Sequence, residues 1–322
     1  MGRLSRAGFK SDFVSKAIIP DWWDESCAEE PELLRDVEIR VARFLQLPLT
    51  EVRNAGAPLA LPAYSGARLR RVRNVAPDRL QPALHAATSV AGAVVRSLRE
   101  SVDRPVLPPV DGLDWRDQIA PRGQRVALDA IVADLWGCGI PVVSLAVLPS
   151  PSFHAMACFA EGRPVIVLGH NFDEPGRAAF AVAHEAGHLA AGDCAPDKPV
   201  VDVDDEGTED DADLEQRAEL FATKLLAGGP TVPAVEATDF RQLATRASDL
   251  ETASGVDAGT IIFAWARRTG NYQTATQAVK ALYRGSGALR FLGDTLRRHL
   301  DLDAASETDR ALLMCARGGV DE

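Results

Sequence analysis

The segment AFAVAHEAGHLAAGD, Ala179–Asp193, holds His184, Glu185 and His188 in the spacing H-E-x-x-H. On a helix, residues four apart share one face, so the two imidazoles stand one turn apart and can hold one metal ion from the same side. Glu185 then flanks that face, where its carboxylate can reach a metal-bound water. Neutral imidazole is a good zinc ligand, and zinc brings the pKa of bound water down toward about 7. A carboxylate beside such a water can take its proton as it attacks a carbonyl, and return that proton to the leaving amine. The spacing therefore points to metal-assisted amide hydrolysis. Paired histidines also occur on ordinary core helices, and the surroundings decide between the two. Upstream of the pair the residues are small and apolar, and Gly187 and the nearby alanines leave little bulk on the metal face.

A catalytic zinc needs a third protein ligand and an open fourth position. The segment DLEQRAELFATKLL supplies two candidates on a second predicted helix. Glu215, Ala218, Phe221, Ala222 and Leu225 repeat at helical spacing, with Glu215 at the N-terminal end of the apolar face. Glu219, one turn later, is the alternative metal ligand. A carboxylate in a first helical turn also favours the helix dipole without any metal.

These two motifs resemble the ImmA/IrrE family of metallopeptidases, which pairs HExxH with a later E-x-x-A-(N/D)-x-F-A-x-x-L-L helix. FAVAHEAGHLAAGD followed about 25 residues on by EQRAELFATKLL fits that pairing, and the resemblance spans roughly residues 121–230. It implies that His184, His188 and Glu215 bind one Zn2+ per chain, with Glu185 as the general base. Glu219 stands where the family usually has Asn or Asp. The resemblance also implies a zincin-like core and a protein substrate, an Xre-type DNA-binding repressor cut at one exposed segment in response to stress or a mobile element. His154 and His170, flanking a predicted hairpin, are the candidates for polarising the substrate carbonyl.

The elements that must position these groups can be read from periodicity. The expected fold is α+β, a mostly helical chain with a small antiparallel sheet packed against the HExxH helix. Residues 1–104 read as a helical region, 105–120 as a proline-rich linker, 121–230 as the domain carrying the site, and 231–322 as helical again. HAMACFA and PVIVLG, joined by EGR, read as the hairpin. The HExxH helix has Asp173 as a candidate N-cap, Pro175 in its first turn and Gly192 as its stop. VARFLQLPLTEVRNAG resembles the closing helices of an Xre-type helix-turn-helix, although the complete pattern is absent.

Composition narrows the function classes. The chain has 322 residues and a formal net charge of −11, which disfavours nucleic-acid coating as its main task. Direct DNA contact is therefore not expected, though Arg68–Arg73 form a basic stretch. The acidic run Asp202–Asp213 reads as a solvated loop. Cys27, Cys138, Cys158, Cys194 and Cys315 are scattered and do not make a disulfide framework. Cys194, just past the HExxH helix, and Asp193 beside it could approach the site. No apolar run is long enough for a membrane span, and the N-terminus lacks the apolar core of a secretion signal, so a cytoplasmic location is expected. The alternative to a peptidase is a DNA-binding regulator or antitoxin-like protein whose zinc domain is sensory or structural. An intact Glu185 argues against it, because a structural site has no use for that carboxylate.

Overall fold

Ala155–Ala160 and Arg163–Leu168 form the predicted hairpin, and Glu161 and Gly162, at φ 50° and 74°, make its two-residue turn. Positive φ at both central residues suits the twist of a tight hairpin. The computed structural model of the chain describes residues 2–319, apart from 21, 62–67, 70–78, 101, 121–123, 170, 172, 196–199, 203–208 and 284–286. Its first elements are α1 (Gly2–Arg6), α2 (Ser11–Ala17), a 3-10 turn at Glu25–Glu29, α3 (Pro31–Leu45), α4 (Leu49–Arg53), β1 (Arg68–Leu69) and α5 (Gln81–Arg96). The middle of the chain forms α6 (Gly112–Ile119), α7 (Leu128–Gly137), β2 (Val142–Ser144), β3 (Ala155–Ala160), β4 (Arg163–Leu168), α8 (Pro175–Ala191), β5 (Val200–Asp202) and α9 (Glu209–Ala227). Then follow α10 (Phe240–Ser254), α11 (Ala258–Thr269), α12 (Tyr272–Leu282), α13 (Ala288–His299) and α14 (Glu307–Leu313).

The fold is α+β and mostly helical, around one small sheet of order β1-β5-β3-β4-β2. Its centre is antiparallel, with β3 between β4 and β5, and both edges are parallel, β2 beside β4 and β1 beside β5. The parallel edge at β2 follows from the connection. A short loop after β2 returns the chain beside the end it left, so β3 runs back. β4 then inserts between them and must run with β2. Periodicity alone does not show that insertion.

Every residue of β4 is buried, so helices must cover both faces of the sheet. Successive strand residues point to opposite faces. Cys158 of β3 lies on the α8 side, where the charges of Cys194 and Glu185 add to burial in pushing its thiol up. Phe159 lines a cleft with Thr88, Ser89, Gly92 and Arg96 of α5 on the other side. Helix α5 is buried from Pro82 through Val94.

One hydrophobic cluster runs from Leu4 through the sheet, α8 and α9 to Ala316. Residues 288–316 rejoin it after α12: Ala146 donates its amide hydrogen to the Cys315 carbonyl, and Arg317 donates to Ser144. A second cluster, including Val235, Leu243, Ile261, Ile262, Trp265 and Val279, forms the separate core of α10–α12.

The proline-rich stretch expected to be a plain linker contains α6. Asp111 caps it by accepting from the Leu113 amide, and Trp115 is fully buried, donating to Asp134 at 2.7 Å. Arg116 donates to the Leu225 and Leu226 carbonyls and so caps the C-terminus of α9. The candidate N-cap Asp173 serves another helix. The residue before Pro175 is an extended Glu174 without a side-chain cap, and Asp173 accepts from the Leu289 amide at the start of α13. The N-cap position of α13 is Gly287, which has no side chain to offer. Among the described residues, no helix is long and apolar enough to cross a membrane.

Candidate metal centre

Helices α8 and α9 meet at Gly187. A Cβ there would stand 3.1 Å from Phe221 Cδ1 and 3.2 Å from Ala218 Cα, so even a methyl group would require Phe221 or α9 to give way slightly. Gly187 lies three residues after His184 and one before His188. Glu215 lies three residues before Ala218. The close crossing therefore sets Glu215 opposite both imidazoles.

The ligand-capable atoms of His184, His188 and Glu215 all fall within 4.8 Å of one another. His184 Nε2 is 3.1 Å from Glu215 Oε2 and 3.2 Å from His188 Nε2, while His188 Nε2 is 3.5 Å from Glu215 Oε1. Tetrahedral zinc with bonds of about 2.0–2.1 Å places its ligand atoms roughly 3.3 Å apart. The donor set and its spacing thus fit a His2Glu metal site. Both histidines are buried, and the Glu215 side chain is 14% exposed. Burial works against ionising Glu215. Its hydrogen bonds and charge interactions with His184 and His188 win, and hold it well below the usual carboxylate range. Burial likewise opposes a charged His188, but its bonds to Asp193 and Glu215, with the Glu185 charge nearby, raise its pKa to about 10. His188 and Glu215 therefore hold each other as a charged pair.

Asp193 supports the site from outside. Gly192, at φ 73°, ends α8 in the left-handed conformation and turns the chain back, so that the Asp193 amide donates to the His188 carbonyl. The Asp193 carboxylate is then 3.0 Å from His188 Nδ1 and accepts from Arg217 at 3.2 Å. A carboxylate on the far nitrogen fixes the tautomer in which Nε2 faces the metal. The Gly-Asp step after the second histidine is the local signal for this role.

Glu185 is fully buried, and its charge reaches His188, Cys158 and Cys194. Glu219 turns away from the cluster. Its side chain is 54% exposed and pairs with Arg267 at 2.8 Å. His154 is half-buried just before β3 and is not part of the His–His–Glu group. His170 lies outside the described residues, as do most of the basic stretch and residues 203–208 of the acidic run, whose last five residues form the start of α9 instead of a loop. Cys194 donates to the Ala157 carbonyl, and burial pushes its thiol up to about 12, so its thiolate is scarce. The five cysteines are free thiols.

A buried helix bearing two histidines and a glutamate, laid on a small mixed sheet and faced by a carboxylate from a second helix, is the core of a metallopeptidase domain. Residues 143–240 match the family model Peptidase_M78, the IrrE N-terminal-like domain, and this match supports the resemblance of that segment to the ImmA/IrrE family. The matched segment holds β2 through α9 and the start of α10, and does not reach α3 and α4, where the Xre-like resemblance is expected. No curated protein and no solved structure matches the chain.

Proposed function

We propose that this protein is a zinc-dependent endopeptidase that cuts one exposed segment of a partner protein, an Xre-type transcriptional repressor. The observation that carries the peptidase reading is the set of distances among His184 Nε2, His188 Nε2 and the Glu215 carboxylate, which suits zinc. The repressor as substrate rests on the likeness of the two motif helices to the ImmA/IrrE family. Bound zinc would supply a Lewis acid for the substrate carbonyl and ease ionisation of the attacking water. His184, His188 and Glu215 would hold it, and Asp193 would keep His188 aimed. Glu185 takes the proton of the attacking water and delivers it to the leaving amine. Its complete burial supports that role, since a carboxylate is costly where an apolar side chain would pack without penalty.

Glu185→Gln is the direct test, because it keeps shape and removes the base. The variant should hold zinc as the unmodified chain does while losing cleavage of a purified repressor by about 10²–10⁴-fold. Normal cleavage by Glu185→Gln would refute the mechanism, and lack of zinc uptake by the unmodified chain would refute the metal.

A further inference from the structure

Helix α11, from the separately cored α10–α12 bundle, crosses the HExxH helix on a contact of unusual composition. A Cβ on Gly176 would stand 2.8 Å from Gly259 Cα, so the two backbones touch at one end of the crossing. Beyond that point the helices exchange arginines. Arg177 of α8 lies 5.7 Å from the Phe263 ring of α11, and Arg267 of α11 lies 3.9 Å from the Phe180 ring of α8. The second contact is the close one, a guanidinium laid on an aromatic face.

Phe180 is one turn before His184, and their rings stack with centroids 6.2 Å apart and planes 30° apart. The same Arg267 pairs with Glu219, one turn after Glu215 on α9. One guanidinium thus touches the helical neighbours of two of the three residues in the metal centre. The two imidazoles are held differently. His188 has Asp193 on its Nδ1, whereas His184 Nδ1 is buried with no hydrogen-bond partner among the described residues. Glu215 and His188 hold His184 at its Nε2 edge, and ring packing against Phe180 adds a constraint where His188 has a carboxylate.

We propose that Arg267 is a positioning residue that presses Phe180 against His184 and ties the α10–α12 bundle to the metal centre, resting on the reading of His184, His188 and Glu215 as zinc ligands. Arg267 lies outside the segment that matches the peptidase family. It makes the aim of His184 depend on how the bundle is docked. Anything that shifts α11 then changes metal binding without touching a ligand.

The test uses the full chain, stripped of metal and titrated with zinc alone against a chromophoric chelator. Arg267→Ala should weaken zinc binding by about tenfold, the lower end of what loss of an outer support costs a metal site. Arg267→Lys keeps the charge but not the planar stack, and should fall between the two. It carries the test should Arg267→Ala fail to fold. Arg177→Ala removes the other arginine from the same crossing, away from the ligands, and should bind zinc as the unmodified chain does. The ligand-field spectrum of the cobalt-substituted protein should shift in Arg267→Ala and stay fixed in Arg177→Ala. Unchanged zinc affinity and an unchanged cobalt spectrum in the Arg267 variants would overturn the proposal. Equal losses in the Arg177 and Arg267 variants would also overturn it, by reducing Arg267 to interface packing. If the unmodified chain takes up no zinc, the metal-centre reading itself falls and takes this proposal with it.

Discussion

The Nδ1 of His188 and the Oδ2 of Asp193 lie 3.0 Å apart, although the two residues sit on opposite sides of a helix end. The left-handed Gly192 between them makes that approach, and the Asp193 side chain is only 8% exposed. Asp193→Ala should leave both histidines and Glu215 in place while lowering zinc affinity by about 10–100-fold. Arg217, which supports Asp193 from a 59% exposed position, should matter much less when replaced. Chelator-competition titrations of the two variants would separate these effects.

Glu215 and Glu219 are one turn apart and face different partners. Glu215→Ala should strip the protein of bound zinc. Glu219→Ala should retain about one zinc per chain, because its carboxylate meets Arg267 and solvent. Elemental analysis of both purified variants decides the matter. Zinc lost from Glu219→Ala and kept by Glu215→Ala would reverse the assignment.

Gly187 sets the separation of α8 and α9, so its replacement tests the crossing rather than a ligand. Gly187→Val would gain helix propensity but force atoms against Phe221 and the Ala218 backbone. Overpacking of this kind costs about 1–3 kcal/mol. The melting temperature should fall, and zinc content should fall with it as Glu215 is carried away from the histidines. A variant that melts normally and binds zinc fully would show that the crossing has room to spare.

His85 gives the N-terminal helices a pH dependence. It is buried beside Phe9 and Phe44, with a ring nitrogen 2.8 Å from the Phe44 carbonyl. Burial lowers its pKa below the ordinary 6.5, and the bond to Phe44 only partly opposes this. Below about pH 6.5 the unfolded chain therefore binds a proton that the folded chain refuses. Stability contributed by neutral His85 is present above that pH and is lost as pH falls toward the folded-state value, by at most about 1.4 kcal/mol per pH unit. Denaturant unfolding at about pH 7.5 and 5.5 should show a larger loss for the unmodified chain than for His85→Gln. Equal losses would mean that His85 does not titrate in this range.

What could be read from sequence was local. The spacing of His184, Glu185 and His188, and the apolar face beginning at Glu215, anticipate two helices that bring these groups together, because each pattern repeats within a few turns. The hairpin was legible for the same reason. Partners distant along the chain were not. Asp173 looks like a cap for α8 and instead caps α13, 116 residues away. Arg267 reaches Phe180 and Glu219 from another helix bundle, and nothing in the periodicity of α11 marks it out from Arg268 beside it. The parallel edge of the sheet depends on β4 sliding between two strands, a choice made by packing. Trp115 was hidden by its setting, since a run of prolines conceals a short capped helix that closes over α9.

The bridge between Leu145 and Ala316 joins the β2 edge of the sheet to residues more than half the chain away. On a ribosome, α8, α9 and the separately cored α10–α12 bundle all emerge while that edge is still bare. Closing the main core must wait for residues 312–317, a long-range step that is slow compared with the local helix contacts. The metal centre would thus be assembled from α8 and α9 before the main core that carries it has closed.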